Sequence, residues 1–409
     1  MANHVAELDF TAPDAVGRAG NTALIVGILS LAILVAGCLL TGGGAELFYR
    51  SYLVALLFWV GPPIGCLGML MLQHVITGSW GVVIRRVLEA STRTFPLLLV
   101  AFIPIFGEML VGPGHLYRWV HPAADDAVTL SKVAYLNAPF FLVRTVIYFA
   151  FWGFLTIWLN KLSHEQDATG EVAPLRKANR LSGPGILFFV FSVTFASVDW
   201  VMSLDPHWTS TIFGLLYLIN WIITAWTFVI ASMYWLAKRE PMNHVMNPRH
   251  FHDIGKLMLA FVMVWAYFTL SQYLITWSGN LPEESGWFLR RGFGIWDIIV
   301  KCLVVFHFAL PFLLLLSRDF KRSSGKLVGI VGLVFLMRMY DMFWTIWPEV
   351  SRHNDGAPDL RGAWTVIFAL IGLGGIWIWY FAKELKKYPL MPPRDPKLQE
   401  ALTAGAHGH

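Results

Sequence analysis

Charge is scarce in this chain. Asp, Glu, Lys and Arg make up 14% of its 409 residues, where soluble globular proteins carry about 25%. Cysteine is scarcer still: Cys38, Cys66 and Cys302 all fall inside apolar runs, and no C-x-x-C or C-x-x-C-H spacing occurs. That excludes an iron–sulfur, zinc-ribbon or c-type haem attachment motif in this chain. The N-terminus lacks a basic-then-apolar leader with a small-residue cleavage site, so insertion is expected to rely on the mature helices. There is no basic patch of the kind that binds nucleic acid either. The formal charge of +5 comes from residues scattered through short loops between apolar segments.

What is abundant is hydrophobic sequence: 56% of residues are hydrophobic and 15% aromatic. A membrane-spanning helix needs roughly 20 mostly apolar residues. Ten such runs are predicted, at 21–41, 47–73, 95–112, 138–160, 184–204, 211–237, 254–278, 295–317, 326–347 and 363–382. The expectation is therefore an all-α, polytopic membrane protein with a single membrane domain, 21–382. Residues 1–20 form an N-terminal tail, and a Pro- and Lys-rich tail, 383–409, reads as disordered. Of the 31 Lys and Arg, 21 fall on one side of the spans and 7 on the other. The positive-inside rule then places both termini in the cytoplasm.

A weak internal repeat is visible. Asp199 stands seven residues before Pro206 near the end of the fifth span, and Asp341 stands seven before Pro348 in the ninth, with Ser203 and Thr345 at equivalent places. Helices 2–5 (47–204) and 6–9 (211–347) then form two four-helix bundles, flanked by helices 1 and 10. Gly61-Pro62-Pro63 must distort helix 2, while helix 6 has no matching break.

Ionisable side chains at membrane depth are costly and usually face a bundle interior or a wet cavity. Here they crowd toward the outer leaflet of both units. Glu108, Arg144 and Asp199 lie in the first; Asp297 and Lys301, with Arg338 and Asp341, lie in the second. Asp205, His207, Glu349 and His353 continue the series at the outer rim. Buried ion pairs could simply fix helix register, and rim groups could cap loops broken by Pro206 and Pro348. The functional reading is a proton path lined by these residues, with His307 deeper in the membrane. His74 and His307 are the histidines expected within spans, and they lack the partner spacing of a transmembrane haem. His250, His252, Asp253 and Lys256 read as a capped, solvated start of helix 7. Gln272, in the aromatic stretch from Trp265 to Trp277, is a buried amide that wants partners.

The run D-W-V-M-S-L-D-P-H-W-T-S-T-I-F-G from Asp199 to Gly214 resembles a signature of bacterial alternative complex III. It is similar to one of the two membrane subunits there that belong to the polysulfide-reductase anchor superfamily. So are His252-Asp253-Ile254-Gly255-Lys256 and W-A-Y-F-T-L-S-Q-Y-L-I-T-W-S-G-N-L-P-E-E from Trp265 to Glu284. The resemblance covers helices 5 to 8 and implies a component of a menaquinol-oxidising complex. Its iron–sulfur clusters and c-type haems would sit in partner subunits, and the sister membrane subunit would carry the productive quinol pocket. Electrons would pass to a cytochrome or a terminal oxidase. This chain would then be cofactor-free, with menaquinone a secondary expectation, and would scaffold the complex and line proton half-paths. Two other readings use the same fold: a stand-alone transporter or proton channel, and the membrane anchor of a molybdoenzyme.

Overall fold

A computed structural model describes residues 9–76, 78–351 and 360–403. It is 79% helical, with no strand among the described residues. Among those residues, ten helices are long and apolar enough to cross a membrane: α1 (Asp14–Leu40), α2 (Gly44–Ile76), α3 (Trp80–Leu110), α4 (Ala138–Thr169), α5 (Ala173–Leu204), α6 (Phe213–Leu236), α7 (Pro248–Gly279), α8 (Ile295–Leu316), α9 (Ser324–Val350) and α10 (Thr365–Leu385). This is a multi-pass membrane protein. Helix limits follow local chemistry. Asn137 caps α4 by accepting from the Phe140 N–H, and Gly170 ends it in the left-handed region (φ 72°). Asn247 and His250 form a reciprocal capping box at the start of α7, so the expectation of a capped start holds there.

α2 lies at the centre, against α3, α5, α6, α9 and α10. α4 packs on α5 and α3, while α6 and α8 each pack on α7 and α9; α1 lies along α10. Two of these crossings depend on glycine. A Cβ on Gly65 would overlap the Trp221 carbonyl oxygen of α6, and one on Gly375 would overlap the Ala23 carbonyl oxygen of α1. Small residues let backbones approach this closely in membranes, where association relies on packing and polar contacts. The expected distortion at Gly61-Pro62-Pro63 is a turn at Val60 between two helical stretches of α2. No sequence signal announced a second irregularity, a π-helical stretch in α8 at Leu303–Ala309.

The two terminal segments meet on one face, where the Leu390 N–H donates to the Phe10 carbonyl at 2.7 Å. That face departs from the sequence reading. α3 begins at Trp80, well before the expected 95, so Arg85, Arg86 and Arg93 are not loop charges. Arg85 and Arg86 are buried. Arg86 pairs with Glu89 at 2.6 Å and with Asp167; Arg93 reaches Glu384 at 3.2 Å. The disordered reading of the C-terminal segment is also corrected through residue 403. Leu390 and Met391 are buried, Asp395 pairs with Arg85 at 2.7 Å, and Gln166 donates to the Arg394 carbonyl. Tyr388 stacks on His164 with ring centroids 3.8 Å apart. Composition suggested a solvated tail, but its few apolar and acidic residues are matched one by one to α3 and α4.

Candidate functional site

The far face, opposite the terminal segments, gathers most of the expected site residues. In the first unit Asp199 is fully buried. Arg144 grips it with two parallel bonds, Nε to Oδ2 at 2.8 Å and Nη2 to Oδ1 at 3.1 Å, and Tyr148 donates its hydroxyl to Oδ2 at 2.7 Å. Arg144 also donates to the Tyr135 carbonyl at 2.9 Å and lies 3.9 Å from the Tyr135 ring centroid. Burial and the Asp199 carboxylate push the Tyr135 phenol up to about 12, so it stays protonated at neutral pH. Tyr148 follows Arg144 by one helical turn, which puts both on the face of α4 that meets α5. That spacing is the sequence signal that could have brought Tyr148 into the site.

The second unit solves the same problem differently. Asp341 pairs with Arg338 of its own helix. Thr345 Oγ1 donates to the Asp341 carbonyl at 2.8 Å, as Ser203 Oγ does to the Asp199 carbonyl. The back-bonded hydroxyl recurs; the origin of the cation does not. With its cation on the same helix, Asp341 is not clamped to a neighbour. It lines a cavity of about 30 Å³ together with Tyr217, Asn220, Trp265, Gln272 and Trp344. That is room for one or two waters.

Above these pairs the rim residues link the end of α5 to the end of α9. Asp205 pairs with Arg290, and Glu349 takes Arg291 at 2.8 Å and Arg290 at 3.5 Å. Arg291 also donates to the carbonyls of Trp287, Trp344 and Thr345 and lies 3.7 Å from the Trp287 ring centroid. Burial and neighbouring Arg290 pull its pKa well below the usual arginine value. Sequence reasoning placed this doublet only as loop charge. Two adjacent arginines on the side with seven basic residues were the missed signal.

Two expectations fail. Glu108 does not join Arg144 and Asp199: it accepts the His115 backbone N–H and so closes the loop after α3. Asp297 and Lys301 do not join Arg338 and Asp341. They pair with each other at 2.6 Å on an exposed face of α8, with the Lys301 side chain 72% exposed. The i,i+4 spacing satisfied the pair locally, which left no need for an inward turn. His307 is fully buried, its ring 4.1 Å from that of Trp265, with neither nitrogen bonded among the described residues. His74 lies apart from it in α2, its carbonyl accepting from Asn179 at 2.8 Å. His353 lies outside the described residues.

His207 sits at the exposed rim and contacts Asp126 at 2.8 Å. Asp126 also caps the short helix Ala127–Ser131, accepting from the Thr129 N–H at 3.0 Å and the Thr129 hydroxyl at 2.6 Å. Burial raises this carboxyl, but Thr129 and His207 more than offset it and bring it down to about 2. A depressed folded-state pKa stabilises fully above the ordinary value and is lost as pH falls through the lowered one. Asp126→Ala is expected to cost about 1 kcal/mol, measured by thermal unfolding in detergent. The difference from wild type should hold from neutral pH down to about 4 and close toward about 2. A difference that stays unchanged at about pH 2 would show that the cap does not depend on the Asp126 charge.

No protein-family model matches the chain, and no curated protein shares significant sequence similarity with it.

Proposed function

We propose that this chain is a cofactor-free membrane component of a quinol-oxidising respiratory complex of the alternative complex III kind. It resides in a bacterial inner membrane with both termini in the cytoplasm, which makes the far face periplasmic. Its helices form two four-helix units, α2–α5 and α6–α9, each holding a proton half-path that opens toward the periplasm. A sister membrane subunit, an iron–sulfur protein and c-haem proteins supply the redox chemistry, and a cytochrome or terminal oxidase takes the electrons. Within this chain the work is scaffolding and proton exchange.

The observation that carries the reading is the placement of the two buried carboxylates. Asp199 and Asp341 sit at matching positions, each held by an arginine, and Asp341 borders a cavity of water size. Proton exchange at a buried carboxylate needs a nearby hydroxyl or water, and a counter-charge that offsets the cost of burying the anion. Tyr148 and the cavity fill the first role. Arg144 and Arg338 fill the second. An apolar cavity that takes benzene measures about 150 Å³, so the cavity of about 30 Å³ suits water rather than a quinone ring. A stand-alone transporter built on inverted repeats would break equivalent helices in both halves. Here the irregularities fall in α2, α3 and α8, while α6, the counterpart of α2, runs unbroken.

Asp199→Asn keeps the Arg144 and Tyr148 side chains in place and removes the titrating group. The expected result is an assembled complex that oxidises quinol with fewer protons translocated per turnover. Wild-type stoichiometry in an assembled complex rejects the role of Asp199. Failure to assemble assigns the pair to helix register alone.

A further inference from the structure

We infer that the cavity beside Asp341 binds a small monovalent cation, hydronium or sodium, held by oxygen lone pairs. The inference rests on the half-path reading and deepens it by naming the occupant of the second unit.

The argument starts from what the polar atoms in the wall lack. Asn220 and Gln272 are at least 95% buried, and Asn220 Oδ1, Gln272 Oε1 and Thr269 Oγ1 have no hydrogen-bond partner among the described residues. All three residues line the cavity, on α6 and α7, facing Asp341 of α9. Leaving a buried polar atom unmet costs roughly 1–3 kcal/mol in proteins, and here several converge on one space. Two amide carbonyls, a hydroxyl and a carboxylate make an oxygen-rich set suited to a hard cation. Tyr217 adds to it: its hydroxyl proton goes to Met342 Sδ at 3.7 Å, which leaves the oxygen lone pairs to the cavity side. Trp344 Nε1 is an unmet donor in the same wall and can bond a water that accompanies the ion.

The remaining wall is aromatic. Trp265, Trp287 and Trp344 line the space, and they keep it small and dry apart from its polar atoms. Size is the second restriction. Room of about 30 Å³ accepts an object no larger than one or two waters, which admits hydronium or sodium and excludes an organic ammonium.

Charges around the cavity cancel in pairs. Arg338 is matched by Asp341, Arg291 by Glu349 and Arg290 by Asp205. An entering cation therefore meets oxygen lone pairs beside arginines that each already hold a carboxylate. Asp199 of the first unit is held differently. There Arg144 and Tyr148 occupy both of its oxygens, so the difference in arginine origin separates a closed carboxylate from an open one.

The test uses the full chain purified in detergent: wild type, Gln272→Leu and Gln272→Glu. If the occupant is sodium, radioactive sodium binds saturably and is displaced by acid. Binding then falls about tenfold or more in Gln272→Leu and tightens in Gln272→Glu, a gain that damaged folding would not produce. If the occupant is hydronium, sodium does not bind. Instead the broad infrared continuum of an excess proton grows on acidification and is lost in Gln272→Leu. Neither signal, or either one unchanged in both variants, overturns the inference and leaves neutral water in the cavity. Binding is read without quinol turnover, so this outcome is independent of the Asp199→Asn proton count.

Discussion

Arg144→Ala lowers the stability of the folded chain by about 3–5 kcal/mol, the cost of leaving a buried charge without its partner. The reason is geometric. Arg144 satisfies both oxygens of Asp199, and Asp199 is fully buried. Removing the guanidinium leaves the hydroxyl of Tyr148, which cannot balance the charge. Arg144→Lys is expected to fall between wild type and alanine, because an ammonium cannot reproduce the two-pronged contact. The double variant Arg144→Met, Asp199→Leu should recover most of the loss, since replacing a buried pair by apolar residues of similar volume is often neutral. Thermal unfolding in detergent, followed by tryptophan fluorescence, reads all three. A small effect in Arg144→Ala would mean that water already reaches Asp199, which contradicts its burial.

Arg291→Met is expected to cost a similar amount, about 3–5 kcal/mol, and to do so at the lip of the second unit. Arg291 pairs with Glu349 and donates to three backbone carbonyls, at Trp287, Trp344 and Thr345. It thereby ties the short helix Pro282–Leu289 to the end of α9. Without it, Glu349 loses its shorter arginine contact, and Trp287 and Trp344, two walls of the cavity, lose their common tether. The variant should also expose Trp344 to collisional quenching of its fluorescence by iodide, above the wild-type level. Glu349→Gln preserves one acceptor for Arg291 and should show the milder loss. Equal losses in the two variants would argue that Arg291 acts through Glu349 alone and that the carbonyl contacts contribute nothing.

The membrane class and ten spans were legible because hydropathy reports them residue by residue. Helix limits were less so. Arg85, Arg86 and Arg93 looked like loop charges because charge density alone cannot show that Glu89, Asp167, Glu384 and Asp395 stand ready to neutralise them. The buried carboxylates were legible from their depth, but their partners were only half so. Arg144 across from Asp199 and Arg338 beside Asp341 follow from position along the helices. That Asp297 and Lys301 turn outward does not, because an i,i+4 pair looks the same on any face of a helix. The cavity was illegible. It is made from side chains on α6, α7, α9 and the loop helix, and of its polar residues Asn220 and Thr269 drew no notice in the sequence. The π-helical stretch at Leu303–Ala309 was invisible too, since its residues read as ordinary apolar helix.

The docked C-terminal segment bears on the order of synthesis. Arg85 is made well before its partner Asp395, which follows α10. Until then the early helices hold an unmatched cation at their boundary, where a chaperone or a phospholipid headgroup could serve as a temporary counterion. A chain cut short after α10 would leave that cation uncompensated, which makes docking of the following segment a late step of assembly.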